Sequence, residues 1–310
     1  MVTGEVQDAA RRILPATFLS PAALTERGLG RYRAARMVAE GRLLRLRNGR
    51  YVLPDLHADL IAAGRLGGRL DCVSLLSAIG VFVRSAPTGP HLQFEPGTTR
   101  LPPRPTGVTA HWRETTRERV CLAADLTEAL TQAFRCLTPR DAVATLDSAW
   151  HHGLVDEHAV DEIFAHLPRR YRSLRQLLDR RSESGAETLM RLLLRGLGCR
   201  VEVQVNIAGV GRVDFVVDGW LIVECDSKAF HEGWQAQKRD RRRDLAAAAL
   251  GYTTVRPLAE DIYYRYDDVL ATMKAVLGHP RLQHSTQTAR AVTPTQRRRS
   301  SRNRSVEFCS

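Results

Sequence analysis

The chain has 310 residues, enough for two or three domains at roughly 100–200 residues each. Apolar residues make up 44% and charged residues 26%, a globular balance that excludes intrinsic disorder for the bulk. No run approaches the roughly 18 apolar residues of a membrane span, and the charged N-terminus lacks a signal-peptide core, so a soluble, cytoplasmic protein is expected.

The net charge of +12 is concentrated at the ends. Residues 1–54 carry 10 Arg against 4 acids, and residues 281–310 carry 7 Arg against Glu307, a surplus of six at each end. Basic ends on a neutral body suit a protein that approaches nucleic acid with its ends.

In the first 54 residues, Val6, Ala10 and Ile13 predict a helix that stops before Pro15. Ser20-Pro21 supplies an N-cap and a Pro at the first helical position for a second helix, and Gly28-Leu29-Gly30 turns the chain into a third over 31–40. Two short strands flank Asn48-Gly49, the strongest short hairpin signal. Helix, turn, helix and hairpin together make a winged helix-turn-helix. Its recognition helix is expected to display Arg31, Arg33 and Arg36 away from Ala35, Met37 and Val38, with Arg45, Arg47 and Arg50 on the wing. The run from Leu19 to Pro54, with its R-x-G-x-Y wing, resembles the N-terminal domain of AbiEi-type antitoxins, transcriptional repressors of type IV toxin–antitoxin systems.

Residues 55–182 predict helices at 57–66, 72–79, 126–137, 139–150 and 157–165, with strands at 91–94 and 108–112 around a Pro-rich loop. This mixed α/β stretch is similar to the region that follows the winged helix in AbiEi-like proteins, and its expected role is structural. The cysteines at 72, 121, 136, 199, 225 and 309 form no C-x-x-C pair, so neither zinc nor a disulfide framework is expected. His151-His152 lacks a helical ligand spacing.

Residues 183–280 predict the order α-β-β-β-α-β-α. Asp214 interrupts one apolar strand, and Glu224 and Asp226 end the next. Buried carboxylates cost several kcal/mol unless paired, hydrogen-bonded or metal-bound. Glu224 and Asp226 share a strand face by the two-residue period. Asp214 joins that face only if the Asp218-Gly219 hairpin has an odd loop, through a three-residue turn or a bulge. Converging carboxylates suit Mg²⁺ or Mn²⁺, which activates water and neutralises charge on a scissile phosphate. Lys228 follows closely and is one of three lysines among 46 basic residues.

The pieces R-V-D-F ending near Asp214, V-E-C-D with Glu224 and Asp226, A-F-H ending at His231, R-D-R-R-R-D with Asp240, Arg243 and Asp244, and L-G-Y-T-T-V-R ending at Arg256 resemble the PD-(D/E)XK nuclease superfamily. More closely they resemble the bacterial family related to very-short-patch-repair (Vsr) endonucleases. The resemblance implies Asp214 and Glu224 as metal ligands, Glu187 as a third, and His231 as a proton acceptor. It also departs from the superfamily, whose lysine belongs where this chain has Asp226. The opposite expectation is an inactive nuclease fold whose acids pair with arginines of the following helix; Arg239 and Arg243 there are candidates for DNA contact.

The expected chain is therefore α/β (α+β overall). It has a winged helix-turn-helix at 1–54, a mixed middle at 55–182, a restriction-endonuclease-like α-β-β-β-α-β domain at 183–280 and a disordered basic tail at 281–310. The expected function is that of a Mg²⁺- or Mn²⁺-dependent DNA endonuclease using Glu187, Asp214, Glu224, Asp226, Lys228 and His231. The alternative is a non-catalytic DNA-binding regulator of the antitoxin kind, with a toxin or a second copy as partner. An RNA-directed enzyme is a third option that the residues do not separate from the first.

Overall fold

Apolar spacing at Val6, Ala10 and Ile13 buries one face of the first helix, α1 (Thr3–Ile13), in a computed structural model that describes residues 3–226 and 234–279. The tail expected at 281–310 lies outside the described residues. Ser20 caps α2 (Pro21–Glu26), its Oγ accepting the Ala23 N–H at 3.2 Å. Then come α3 (Arg31–Ala39) and the antiparallel pair β1 (Leu44–Arg47) and β2 (Arg50–Val52), turned at Gly49 with φ 72°. Leu24, Ala34 and Leu43 are the buried core of this helix–helix–hairpin unit, backed by Met37 and Val38. Ala34, rather than the expected Ala35, is the inward alanine. So small a core does not retain α1: Val6, Ala10 and Ile13 pack into the core of the next region. The expected boundary at residue 54 therefore does not separate the cores.

That next region runs α4 (Ala58–Leu66), β3 (Arg69–Leu70), α5 (Cys72–Ala78), β4 (His91–Phe94), β5 (Thr109–Trp112), α6 (Leu126–Cys136), α7 (Pro139–His151) and α8 (Glu157–His166), followed by a 3₁₀ segment, Arg169–Leu177. Asp125, Thr138 and Asp156 cap α6, α7 and α8 with side-chain oxygens. The sheet order is β3-β4-β5, with β3–β4 antiparallel and β4–β5 parallel. Strand β3 has two residues, too short for any hydrophobic period to announce it.

The last unit comprises α9 (Gly185–Gly196), β6 (Val201–Ile207), β7 (Gly211–Val217), β8 (Leu221–Val223), α10 (Trp234–Ala249), β9 (Thr253–Val255), α11 (Ala259–Tyr264) and α12 (Tyr266–Leu277). Its four-stranded sheet has the order β6-β7-β8-β9. The first two pairings are antiparallel and β8–β9 is parallel, so α10 serves as the crossover that a parallel pair requires. Ala186, Leu189, Met190, Leu193 and Leu194 of α9 pack on Val203, Phe215, Val217, Leu221 and Val223. The single helix that closes the expected order is instead two, broken at Arg265, whose φ of −125° leaves the helical region. No helix among the described residues is long and apolar enough to cross a membrane.

One buried ion pair joins the middle region to the last unit. Arg191 of α9, 0% exposed, donates to Asp147 Oδ2 of α7 at 2.5 Å and to the Leu177 carbonyl at 2.6 Å. Asp147 also accepts from Thr188 Oγ1 at 3.0 Å and from the Asp179 N–H at 2.8 Å. Removing one partner strands a buried charge, and Asp147→Ala is expected to cost about 3–5 kcal/mol in urea unfolding. The double replacement Asp147→Leu with Arg191→Met should cost less than the single. A single variant as stable as wild type would refute the pair's role.

Candidate functional site

The odd hairpin loop that Asp214 needs is formed by a bulge. Asp218 and Gly219 take φ 51° and 79°, and the Trp220 N–H closes the turn on the Val217 carbonyl at 3.1 Å. The ladder then resumes with Val217 opposite Leu221 and Phe215 opposite Val223, leaving Trp220 as the extra residue. Extending that register one step sets Asp214 opposite Glu224, on a common face of the sheet.

Glu187 comes from the first turn of α9, the helix packed on the Phe215 and Val223 face, and meets Asp214 through Gln204. Ser184 caps that helix by accepting the Glu187 N–H at 3.2 Å. The Glu187 carboxylate, 6% exposed, accepts the Glu183 N–H at 2.8 Å and Gln204 Nε2 at 2.9 Å. Gln204 Nε2 also lies 3.5 Å from Asp214 Oδ1, and Asp214 Oδ2 accepts the Cys225 N–H at 2.8 Å. Gln204 sits in β6 at φ 55°, and its Oε1 is buried with no hydrogen-bond partner. Burial first, then the Asp214 charge, pushes the Glu187 carboxyl up to about 7. Burial also raises Asp214. The Glu187 and Asp214 carboxylates, both facing Gln204 Nε2, are oxygen donors of the kind a hard divalent cation takes. Sequence reading missed Gln204, because a lone glutamine in an alternating strand carries no period or motif.

Glu224 departs from the expected ligand role. One of its carboxylate oxygens pairs with Arg243 Nη2 of α10 at 2.8 Å, and the other pairs with Arg256 Nη1. Burial raises this carboxyl, and Arg256 and Arg243 pull it back down. Among the described residues Glu187, Asp214 and Glu224 do not form a three-carboxylate cluster. Asp226 is exposed and extends the β8–β9 pairing through its backbone: its N–H donates to Pro257 O at 3.1 Å and its carbonyl accepts from Ala259 N at 2.8 Å. Lys228 and His231 lie outside the described residues.

The candidate DNA contacts divide in the same way. Arg31, Arg33 and Arg36 are exposed on α3 around Tyr32, which is 93% exposed, and Arg36 Nε lies 3.2 Å from Glu40. Arg45 is exposed on the wing and donates to Asn48 Oδ1 at 2.9 Å. Arg47 and Arg50, expected to point outward, turn to the body instead. Arg47 bonds the Arg100 carbonyl at 2.5 Å, and Arg50 stacks 4.7 Å from the Phe18 ring centroid. Arg239 is exposed on α10. Arg243 is spent within the fold, donating to the Val210 and Arg212 carbonyls as well as to Glu224. A wing next to a polar body finds partners there that spacing along the chain does not show.

A second cluster lies in the middle region, where no site was expected. Cys72, His91, His111 and Cys136 place one ligand atom each within 4.8 Å of the others, so the group could hold a metal ion. They come from the start of α5, the start of β4, within β5, and the end of α6. Separations of about 20 residues match no short metal motif, and only the parallel β4–β5 pairing brings the two histidines together. The Cys136 thiol is drawn well below its ordinary value by the hydrogen bond from Cys72, and Cys72 is pushed up in return. His151 and His152 have separate partners in the Arg180 carbonyl and Thr3 Oγ1.

In comparison with known proteins, no family model and no curated protein matches the chain.

The raised Glu187 carboxyl fixes a pH dependence in the presence of chelator. Between about 4.5 and about 7 the folded chain holds a proton that the unfolded chain has released, so stability falls as pH rises through that window. The loss is at most about 3 kcal/mol and levels off above it. Glu187→Gln should reduce this decline in chemical unfolding followed at several pH values, leaving the share of Asp147, whose buried carboxyl is also pushed up to about 7. An unchanged pH profile in the variant would show that Glu187 is not the group responsible.

Proposed function

We propose that the protein is a divalent-metal-dependent endonuclease acting on DNA, with its active centre where Glu187 of α9 meets Asp214 of β7. The observation that carries this reading is the joining of Glu187 and Asp214 through Gln204, with Asp214 tied to the end of β8 by the Cys225 N–H. The α-β-β-β-α-β order and the mixed sheet, with its second strand antiparallel to the others, support a restriction-endonuclease-like, Vsr-like fold.

Glu187 and Asp214 would hold the cation. When bound, Mg²⁺ or Mn²⁺ neutralises charge on the scissile phosphate and lowers the pKa of an attacking water. Asp214 is oriented for this by the Cys225 N–H, and Glu187 by the Glu183 N–H. Without a cation the Glu187 carboxyl is pushed up to about 7, so metal binding near neutral pH would displace its proton. Arg256 and Arg243 hold positive charge beside Glu224, in the neighbourhood where the superfamily pattern has its lysine. Arg31, Arg33 and Arg36 on α3 would hold the DNA backbone or base edges, and the N-terminal unit would act as the winged helix that delivers the chain.

The same Glu224 pairing favours a second reading. A carboxylate with both oxygens taken by arginines is neutralised as a structural group would be, which suits a DNA-binding regulator that keeps the nuclease fold without its chemistry.

Cleavage of supercoiled and mismatched plasmid with Mg²⁺ or Mn²⁺ separates the two. The endonuclease reading expects nicking that falls at least about 100-fold in Asp214→Ala and in Glu187→Gln. Wild type that binds DNA and never cuts, or variants that cut equally well, would leave the regulator. In either case Arg31→Ala with Arg33→Ala should weaken binding and flatten the salt dependence by about one to two units of log–log slope. An unchanged slope would remove α3 from the DNA interface.

A further inference from the structure

We propose that Cys72, His91, His111 and Cys136 bind one structural Zn²⁺ that ties the middle region together. This inference is independent of the nuclease reading, which concerns other residues and a hard cation.

The donor chemistry selects the metal. Two sulfurs and two imidazole nitrogens are a borderline-soft set that suits tetrahedral zinc, and they are poor ligands for Mg²⁺ or Mn²⁺. The spacing agrees. Zinc–nitrogen bonds of about 2.0–2.1 Å at a tetrahedral angle put two nitrogens about 3.3 Å apart. His91 Nδ1 and His111 Nε2 lie 3.2 Å apart. A nitrogen and a sulfur on the same ion would be separated by about 3.6 Å, and His111 Nε2 to Cys136 Sγ is 3.9 Å.

Charge balance supports the assignment. Zn²⁺ held by two thiolates and two neutral imidazoles carries no net charge. Such a neutral complex can sit among buried groups, and Cys72 is 0% exposed while His111 is 9% exposed. Cys136 is exposed at the rim and supplies an entry path for the ion. All four positions are filled by protein, the mark of a structural rather than a catalytic zinc site.

The surroundings hold the ligands in place. Ser74 Oγ accepts the His91 N–H at 2.9 Å, and the Asp71 N–H donates to the His91 carbonyl at 2.9 Å. Asp71 itself, 0% exposed, is clamped by both terminal nitrogens of Arg113, at 2.5 and 2.8 Å. Cys72 follows it at φ 49°, a backbone conformation an L-residue adopts only when its surroundings impose it. The ion would bridge the β4–β5 pair to the start of α5 and the end of α6, fixing a parallel pair joined by a loop without a helix.

The test is zinc content of the purified full-length chain, with a thiol-blocked sample analysed by mass spectrometry. The expected result is about one zinc per chain, reduced at least about tenfold in His111→Ala and in Cys136→Ser and unchanged in Asp214→Ala. Because a ligand variant may misfold, the wild-type apoprotein is also titrated with Co²⁺. Tetrahedral cobalt absorption with thiolate-to-metal charge transfer, displaced by Zn²⁺, is expected. Wild type holding less than about a tenth of an equivalent that gives no such cobalt spectrum overturns the proposal. So does a Cys72–Cys136 disulfide in the freshly purified chain, and so does zinc that follows Asp214 rather than the four ligands.

Discussion

The candidate centre on the four-stranded sheet depends on the buried contact of Asp147 with Arg191. Arg191 is the largest fully buried side chain among the described residues, and it lies one turn beyond Glu187 on α9. An unpaired guanidinium in that position would be prohibitively desolvated. The pair holds α7, the 3₁₀ segment and α9 together, and the same helix carries Glu187 to Gln204 of β6. Gly185 reinforces it: a Cβ there would sit 2.3 Å from the Phe82 ring, so the start of α9 approaches the middle region more closely than a larger residue allows.

Around that anchor, the carboxylate face is a balance of repulsion and neutralisation. Burial raises the proton affinity of both Glu187 and Asp214, the Asp214 charge adds to the first, and Gln204 is their shared donor with its oxygen left without a partner. A few ångströms of sequence register away, Glu224 is compensated twice over by arginine. The acids on this face thus divide into an under-compensated pair and an over-compensated single group. Arginine's fixed fork suits the second arrangement, since Arg243 can bond two carbonyls and a carboxylate at once.

The middle region shows how a site can form without any sequence motif. Its four sulfur and imidazole donors are separated by about 20 residues each, and they converge because β4 and β5 pair in parallel while α5 and α6 pack together with their opposite ends at the sheet. The expectation of no zinc site rested on short spacings, and short spacings report only ligands that one hairpin or one helix turn supplies. Ligands assembled by tertiary contacts leave no such trace.

Much was legible in the chain itself. The Ser20-Pro21 cap, the Asn48-Gly49 hairpin, the helical stripe from Ala186 to Leu194 and the alternation from Val201 to Ile207 each fixed an element, because caps, turns and periods are local consequences of backbone geometry. The two-residue period also limited Asp214 to two faces and tied the choice to one loop. Tertiary structure alone decided the rest. It spent Trp220 as a bulge to set that choice, turned Arg47 and Arg50 inward, occupied Glu224 with Arg243 and Arg256, carried α1 out of the N-terminal unit, and gathered Cys72, His91, His111 and Cys136. Each of these is settled by a partner distant in sequence, and a side chain's charge or burial depends on that partner as much as on the residue itself.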